Sequence, residues 1–446
     1  MKKEAEMQNS EFRNQGTCTP RALKWFLLLS SILLSPALLL GQSFIPHGGE
    51  YAPAGNLPGD QTFPQLSINS SGGFIVWQDN ATDGKNGLGI SARRLNGSLT
   101  QSGAPFRVNA QKTGDQEKPK VSLLNDGGAV FVWQGGKYGF QTVYARFLAG
   151  TGSFSGGEIR VNTFKGGFQI NPAVATLADG SVVIVWSSFE QDGNLQGVFG
   201  QRFSATGAKL GGEFQVNQWT AGNQRTPAVA ALANGNFIVV WVSELQRGSA
   251  SVDVYGRIYN SSGVAVGGEF PINASATNAC ANPSVACSAQ GGFAVAWSQN
   301  DNVTLGAGGN VTGVPSVSRS ANGWDVFGRL FDANGTAVTA PVRLNTTTYG
   351  DQYAPKISAS GGDYLAVWTS LGQDGSREGV YGQFLAGNGD FTGSEFRVNT
   401  TTASRQMDPA VVSDGANRFM VVWSSFVGGG ASFDLFAQKY LKAVVP

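Results

Sequence analysis

Histidine is nearly missing from this chain: His47 is the single copy in 446 residues. A Ser-His-Asp or Cys-His centre is therefore close to excluded, and a metal site built on several imidazoles cannot form. Cysteine is scarce too, with only Cys18, Cys280 and Cys287. Charged side chains make up 14% of the chain, against roughly 25% in average proteins. The 31 basic and 30 acidic residues nearly cancel. Nothing here resembles the basic stripe that nucleic-acid binding requires. No convincing helical pattern follows residue 43, so no glycine-rich phosphate loop leads into a helix.

Glycine is what the chain has in abundance. Its 62 copies are about twice the usual share of roughly 7%, as expected of a chain full of tight turns. The stretch Pro172–Asn217 shows the unit that needs them. Pro172–Leu177 reads as a first strand and Asp179-Gly180 as a two-residue type I′ hairpin turn. Ser181–Ser187, centred on VVIVW, is apolar on both faces, as suits a strand covered on each side. Val198–Ser204 and Glu213–Val216 complete a set of four strands.

The same unit recurs. Its Trp appears at Trp77, Trp133, Trp186, Trp241, Trp297, Trp368 and Trp423, at intervals of 56, 53, 55, 56, 71 and 55 residues. An apolar-Asn pair ends the fourth strand at Asn109, Asn162, Asn217, Asn273, Asn345 and Asn399. Gln-x-x-Pro opens the first strand at Gln61, Gln116, Gln169, Gln224, Gln352 and Gln406, with Cys280 in that place in the fifth copy. Periods of this length with four strands each predict an all-β, seven-bladed β-propeller of four-stranded antiparallel blades. The seventh copy stops after a third strand at Leu435–Tyr440, while Gly48–Gln61 aligns without gaps on Gly211–Gln224. An N-terminal strand at Glu50–Pro53 is thus expected to complete the last blade and leave no open edge.

Residues 1–43 differ in kind. Lys2, Lys3, Arg13, Arg21 and Lys24 precede an apolar run from Trp25 to Leu40, and Gly41-x-Ser43 offers a small-x-small cleavage site. This reads as a secretory signal peptide, with an uncleaved anchor as the alternative, followed by the propeller over 44–446. The exported remainder, with 26 basic and 27 acidic residues, is expected to be periplasmic, cell-surface or extracellular, without a membrane span and monomeric. An oxidising compartment permits a Cys280–Cys287 disulfide, although an extended Pro283–Cys287 would hold the two apart.

The repeats vary most between second and third strands, and the fifth carries its extra residues there, within Ser298–Trp324. Such segments share one face with the links from each fourth strand to the next first strand, and per-repeat variation marks a binding face. Carboxylates on that face are Asp79, Asp83, Glu190, Asp192, Asp253, Asp301, Asp325 and Asp374, of which Asp192 and Asp374 are retained as ligand-binding candidates. The six repeated glutamines, Gln61, Gln116, Gln169, Gln224, Gln352 and Gln406, could form a polar collar at the channel mouth or bond link backbone instead. Asp60, Asp115 and Asp351 directly precede three of them. No cofactor is expected, with Ca²⁺ at these three aspartates as the secondary possibility. The repeated Trp residues should pack between blades, leaving Trp219 and Trp324 as loop aromatics able to stack on a sugar. The sialidase box Ser-x-Asp-x-Gly-x-x-Trp is absent, since Gly180 lies six residues before Trp186.

The unit PAVAALANGNFIVVW…DVYGRIYNSSGVAVGGEFPIN resembles the tandem repeats of bacterial exported and cell-surface proteins, some of which carry calcium-binding or adhesive modules. The resemblance covers Gly48 to Tyr440 and implies an exported repeat propeller, but its matching residues are structural. Two functions follow. The leading expectation is a non-enzymatic module that binds protein or glycan through variable loops at the cell surface. The alternative is a carbohydrate-active enzyme, a glycoside hydrolase or lyase, using carboxylates at the channel mouth.

Overall fold

The computed structural model describes residues 44–84, 87–300, 323–429 and 432–443. The leader, Asp301 and most of the fifth repeat's inserted segment lie outside the described residues. Those described form β-strands and turns with no α-helix. The strands make five four-stranded antiparallel sheets and one of eight. The larger sheet consists of two four-stranded arrays joined by a single parallel contact, Val252 to Ala279. In every array but that of Gln406–Ser413 the chain runs outward: an inner strand such as Gln169–Thr176, then Val182–Phe189, Gln196–Phe203 and an outer Lys209–Gln215. The second strand is buried on both faces, as its unbroken apolar run requires. The outer strand is largely exposed.

Every second strand carries its Trp opposite a break in the inner strand. Ile170 faces Ser187 and Ala173 faces Val185, so Asn171 and Pro172 together oppose Trp186. The same two-against-one bulge stands opposite Trp77, Trp133, Trp241, Trp297, Trp368 and Trp423. Pro explains part of it, because it has no N–H to give to the ladder. Its predecessor takes a left-handed backbone in all seven copies: Phe63, Lys118, Asn171, Thr226, Asn282, Ala354 and Asp408, with φ between 51° and 54°. Non-glycine residues avoid this region, and a residue before Pro prefers an extended one. The conformation is held from the preceding array, where the residue after Trp accepts the bulge N–H: Gln78 from Lys118, Gln134 from Asn171, Ser187 from Thr226 and Ser298 from Ala354.

Other repeated residues knit neighbouring arrays together. Each apolar-Asn pair turns its Asn inward, where the carboxamide oxygen accepts a third-strand N–H, as Asn217 does from Val198 at 2.8 Å. The Glu of the outer strand reaches to the preceding link: Glu213 accepts from the N–H and hydroxyl of Thr163, and Glu269 from the N–H groups of Gln218 and Trp219. Glu50 does the same with Thr400 and Thr401, so the N-terminal strand occupies an outer-strand place. That strand, Phe44–Tyr51, pairs antiparallel with Phe433–Lys442.

Three local expectations need correction. The closing N-terminal strand ends at Tyr51, so Pro53 is outside it. The Asp179-Gly180 turn is not type I′: only Gly180 has positive φ, at 80°, and Leu177 bonds both Gly180 and Ser181. This is the longer loop with a left-handed glycine at its end. Trp324 opens the strand Trp324–Phe331 and is 9% exposed against Val242, Val252 and Ala279, so it is no loop aromatic. Cys280 and Cys287 lie near the two ends of one strand and are not bridged to each other.

Candidate active site

The inner strands lie side by side in chain order, and Gln61–Asn69 also packs beside Gln406–Ser413. Where they converge is a cavity of about 200 Å³ lined by residues of seven inner strands. The left-handed residue of each bulge is on its wall: Phe63, Lys118, Asn171, Thr226, Asn282, Ala354 and Asp408. Because the bulge is the third residue of most inner strands, the cavity opens near the edge that bears the links and the variable second-to-third-strand segments. A second tier, two residues further on, adds Gln65, Lys120 and Lys356. Below it a larger space of about 370 Å³ continues between the strands, again touching Lys120 and Lys356.

Four of these side chains titrate, and their surroundings shift all four. Burial lowers Lys118, Lys120 and Lys356. Lys120 falls to about 7, because burial is joined by the like charges of Lys356 and Lys118. Asp408 opposes the fall of Lys118 and Lys356. Its own carboxyl is raised by burial, with Lys118 and Lys356 acting the other way and Glu378 adding to the rise. Each of the four is partly buried and lines the cavity. The Lys118 ammonium rests 3.5 Å from the centre of the Phe63 ring, a cation–π contact that fixes its position. An amine near neutrality and a carboxyl pushed upward on the wall of one cavity are groups that acid–base chemistry uses.

The residues singled out from the sequence fall elsewhere. Gln61, Gln116, Gln169, Gln224, Gln352 and Gln406 are buried inside the sheet edge and donate to the backbone of their own links, as Gln169 does to Gly166 at 2.7 Å. Several also accept from the repeated Asn, Asn162 to Gln169 among them. Asp192 and Asp374 accept from Asn217 and Asn399 within their own arrays. Asp60, Asp115 and Asp351 each accept N–H groups from the preceding third strand, at Ser432 and Phe433, at Leu88 and at Trp324. Trp219 sits in a link with its side chain 37% exposed. The structure thus separates all these residues from the cavity. What was passed over is the second x of Gln-x-x-Pro. Its signal was contrast: a constant Gln and Pro flank a residue that changes in nearly every repeat.

No family model matches the chain, and no curated protein sequence matches it. Solved structures do. A protein of unknown function from Dyadobacter fermentans DSM 18053 aligns with a TM-score of 0.50 at 12% identity, over 90% of this chain and 100% of that one. The polysaccharide lyase Uly1 aligns with a TM-score of 0.53 at 11% identity, over 87% of this chain and 91% of that one. The α-L-arabinanase of Penicillium chrysogenum aligns with a TM-score of 0.48 at 13% identity, over 73% of this chain and 92% of that one.

The architecture is that of a β-propeller, with four-stranded antiparallel arrays whose inner strands lie side by side, and the aligned structures speak for fold alone at these identities. The leading functional expectation is corrected here. The expectation of a non-enzymatic module gives way to its alternative, taken up as a proposal below: a polysaccharide lyase is among the aligned structures, and four titrating side chains line the cavity between the inner strands.

Proposed function

We propose that this chain is a carbohydrate-active enzyme whose reaction centre is the cavity between the inner strands. One observation carries the reading: Lys118, Lys120, Lys356 and Asp408, from three different arrays, face one small cavity with shifted ionisation. A structural scaffold has no use for such a group, since burying charge costs free energy. Exposed aromatics stand in the links and second-to-third-strand segments on the side of the mouth: Tyr138 at 90%, Phe140 at 69% and Tyr349 at 74% exposure, with Trp219. Rings of this kind suit the apolar faces of sugars. The lyase among the neighbours supports the class and no more than the class.

We further infer that the arrays close as seven blades, counting the eight-stranded sheet as two, with Phe44–Tyr51 as the outer strand of the last. The support is the cavity wall drawn from seven inner strands and the Glu50 contact that repeats Glu213. The composition of residues 1–43 supports export.

The test is depolymerisation. Purified full-length chain is incubated with neutral and anionic polysaccharides and their length followed by size-exclusion chromatography. Shortening of at least one polymer is expected, with loss of about a hundredfold or more in Asp408→Asn and none in Asp192→Asn. No shortening of any polymer, or equal activity in both variants, overturns the reading.

A further inference from the structure

The composition of the cavity narrows the chemistry. Glycoside hydrolysis uses two carboxyl groups, one to give a proton and one to attack or activate water. Among the residues that line this cavity, Asp408 is the one carboxyl, and it is accompanied by three amines. Lys118 and Lys356 come from arrays on either side of the one that carries Asp408 and of its neighbour, and both act on it through space. Bound to a neutral sugar, the three ammonium groups would share the one carboxyl that lines the cavity. An anionic one would bring the missing charge with it.

Resting on the proposed function, we propose that the substrate is a polysaccharide containing uronate and that the reaction is β-elimination, with Lys118 and Lys356 binding the sugar carboxylate, Lys120 as base and Asp408 as acid. The hydrogen next to a carboxylate becomes removable once cations neutralise that carboxylate, because charge then builds on its oxygens in the transition state. The C5–H bond breaks and its proton passes to the Lys120 amine. The electron pair left on C5 forms the C4=C5 double bond as the C4–O bond breaks. The departing oxygen takes its proton from the Asp408 carboxyl. Passing the proton from Lys120 to Asp408 through solvent restores both groups, so no oxidant or further reactant is consumed. The required starting states, a neutral amine and a protonated carboxyl, are the directions in which burial drives these two groups. Glu117 beside Lys118, and Glu378 and Tyr353 beside Asp408, are the other titrating groups within electrostatic reach.

The experiment uses full-length chain with polygalacturonate and alginate, the same polymers after reduction of their carboxyls to alcohols, and neutral arabinan. Two readouts run together: ultraviolet absorbance of the new conjugated double bond, and new reducing ends. The expected result is both signals from a uronate polymer and neither from its reduced form. Lys120→Met and Lys120→Arg should each lose about a hundredfold or more in kcat, the Arg variant because a guanidinium cannot give up its proton. Lys118→Ala should mainly raise KM. Melting temperatures at or above the parent's exclude unfolding as the cause. Reducing ends without the double bond, or cleavage of arabinan alone, overturn this inference and leave the proposed function standing. An active Lys120→Arg overturns the assignment of the base. No cleavage of any polymer overturns both.

Discussion

Trp186 is fully enclosed among Val130, Val132, Val143 and Phe147 of the preceding array and Phe199 and Phe203 of its own. Trp219 meets water in a link. Trp186→Ala should therefore cost about 3–5 kcal/mol, the range for a large aromatic removed from a packed interior, and Trp219→Ala under about 1 kcal/mol. Urea unfolding of both variants checks this, and equal losses would refute the distinction. The core Trp residues were legible from their periodicity, because a constant residue after an apolar strand has few other reasons to recur. Lys118 and Asp408 were not legible. In the sequence each is one charged residue beside a proline, and only the bulge opposite the Trp turns both toward a common space.

At the scale of elements, the repeat register read well and its details less so. Turn type at Gly180 depended on backbone angles that Asp-Gly permits in more than one loop length. The end of the N-terminal strand depended on pairing with a segment nearly 400 residues away. Phe44 in that strand is buried, stacked on Phe384 with ring centres 5.5 Å apart and edge-on to Phe419 at 4.8 Å. Deleting residues 44–51 removes this aromatic and the Glu50 contacts and leaves Phe433–Lys442 with an unpaired edge. Open edges recruit other chains. The truncated protein should melt at clearly lower temperature and self-associate, as light scattering would report. A monomer with unchanged melting would count against the closed arrangement.

For the whole molecule, the lysine cluster ties stability to pH. The Lys120 amine ordinarily holds its proton up to 10.5, whereas in the fold it lets go at about 7. Between these values the unfolded chain binds more protons than the folded one, so this group makes stability rise with pH. Below about 7 both states are charged and the fold carries the full cost. Lys118 and Lys356 act in the same direction, and Asp408, with its raised carboxyl, in the opposite one above the usual carboxylate value. Lys120→Met should thus raise the melting temperature by on the order of a few degrees below pH 7, with the gain fading toward pH 10. Calorimetry across that range decides it, and a gain independent of pH would contradict the buried charge. The bulges carry a last consequence. Each repeat contributes one side chain to the mouth from a backbone that does not change with its identity, so the order of charges around the axis is the order of repeats along the gene. Exchanging two repeats would rewrite that circular inscription while leaving the surface on which it is written intact.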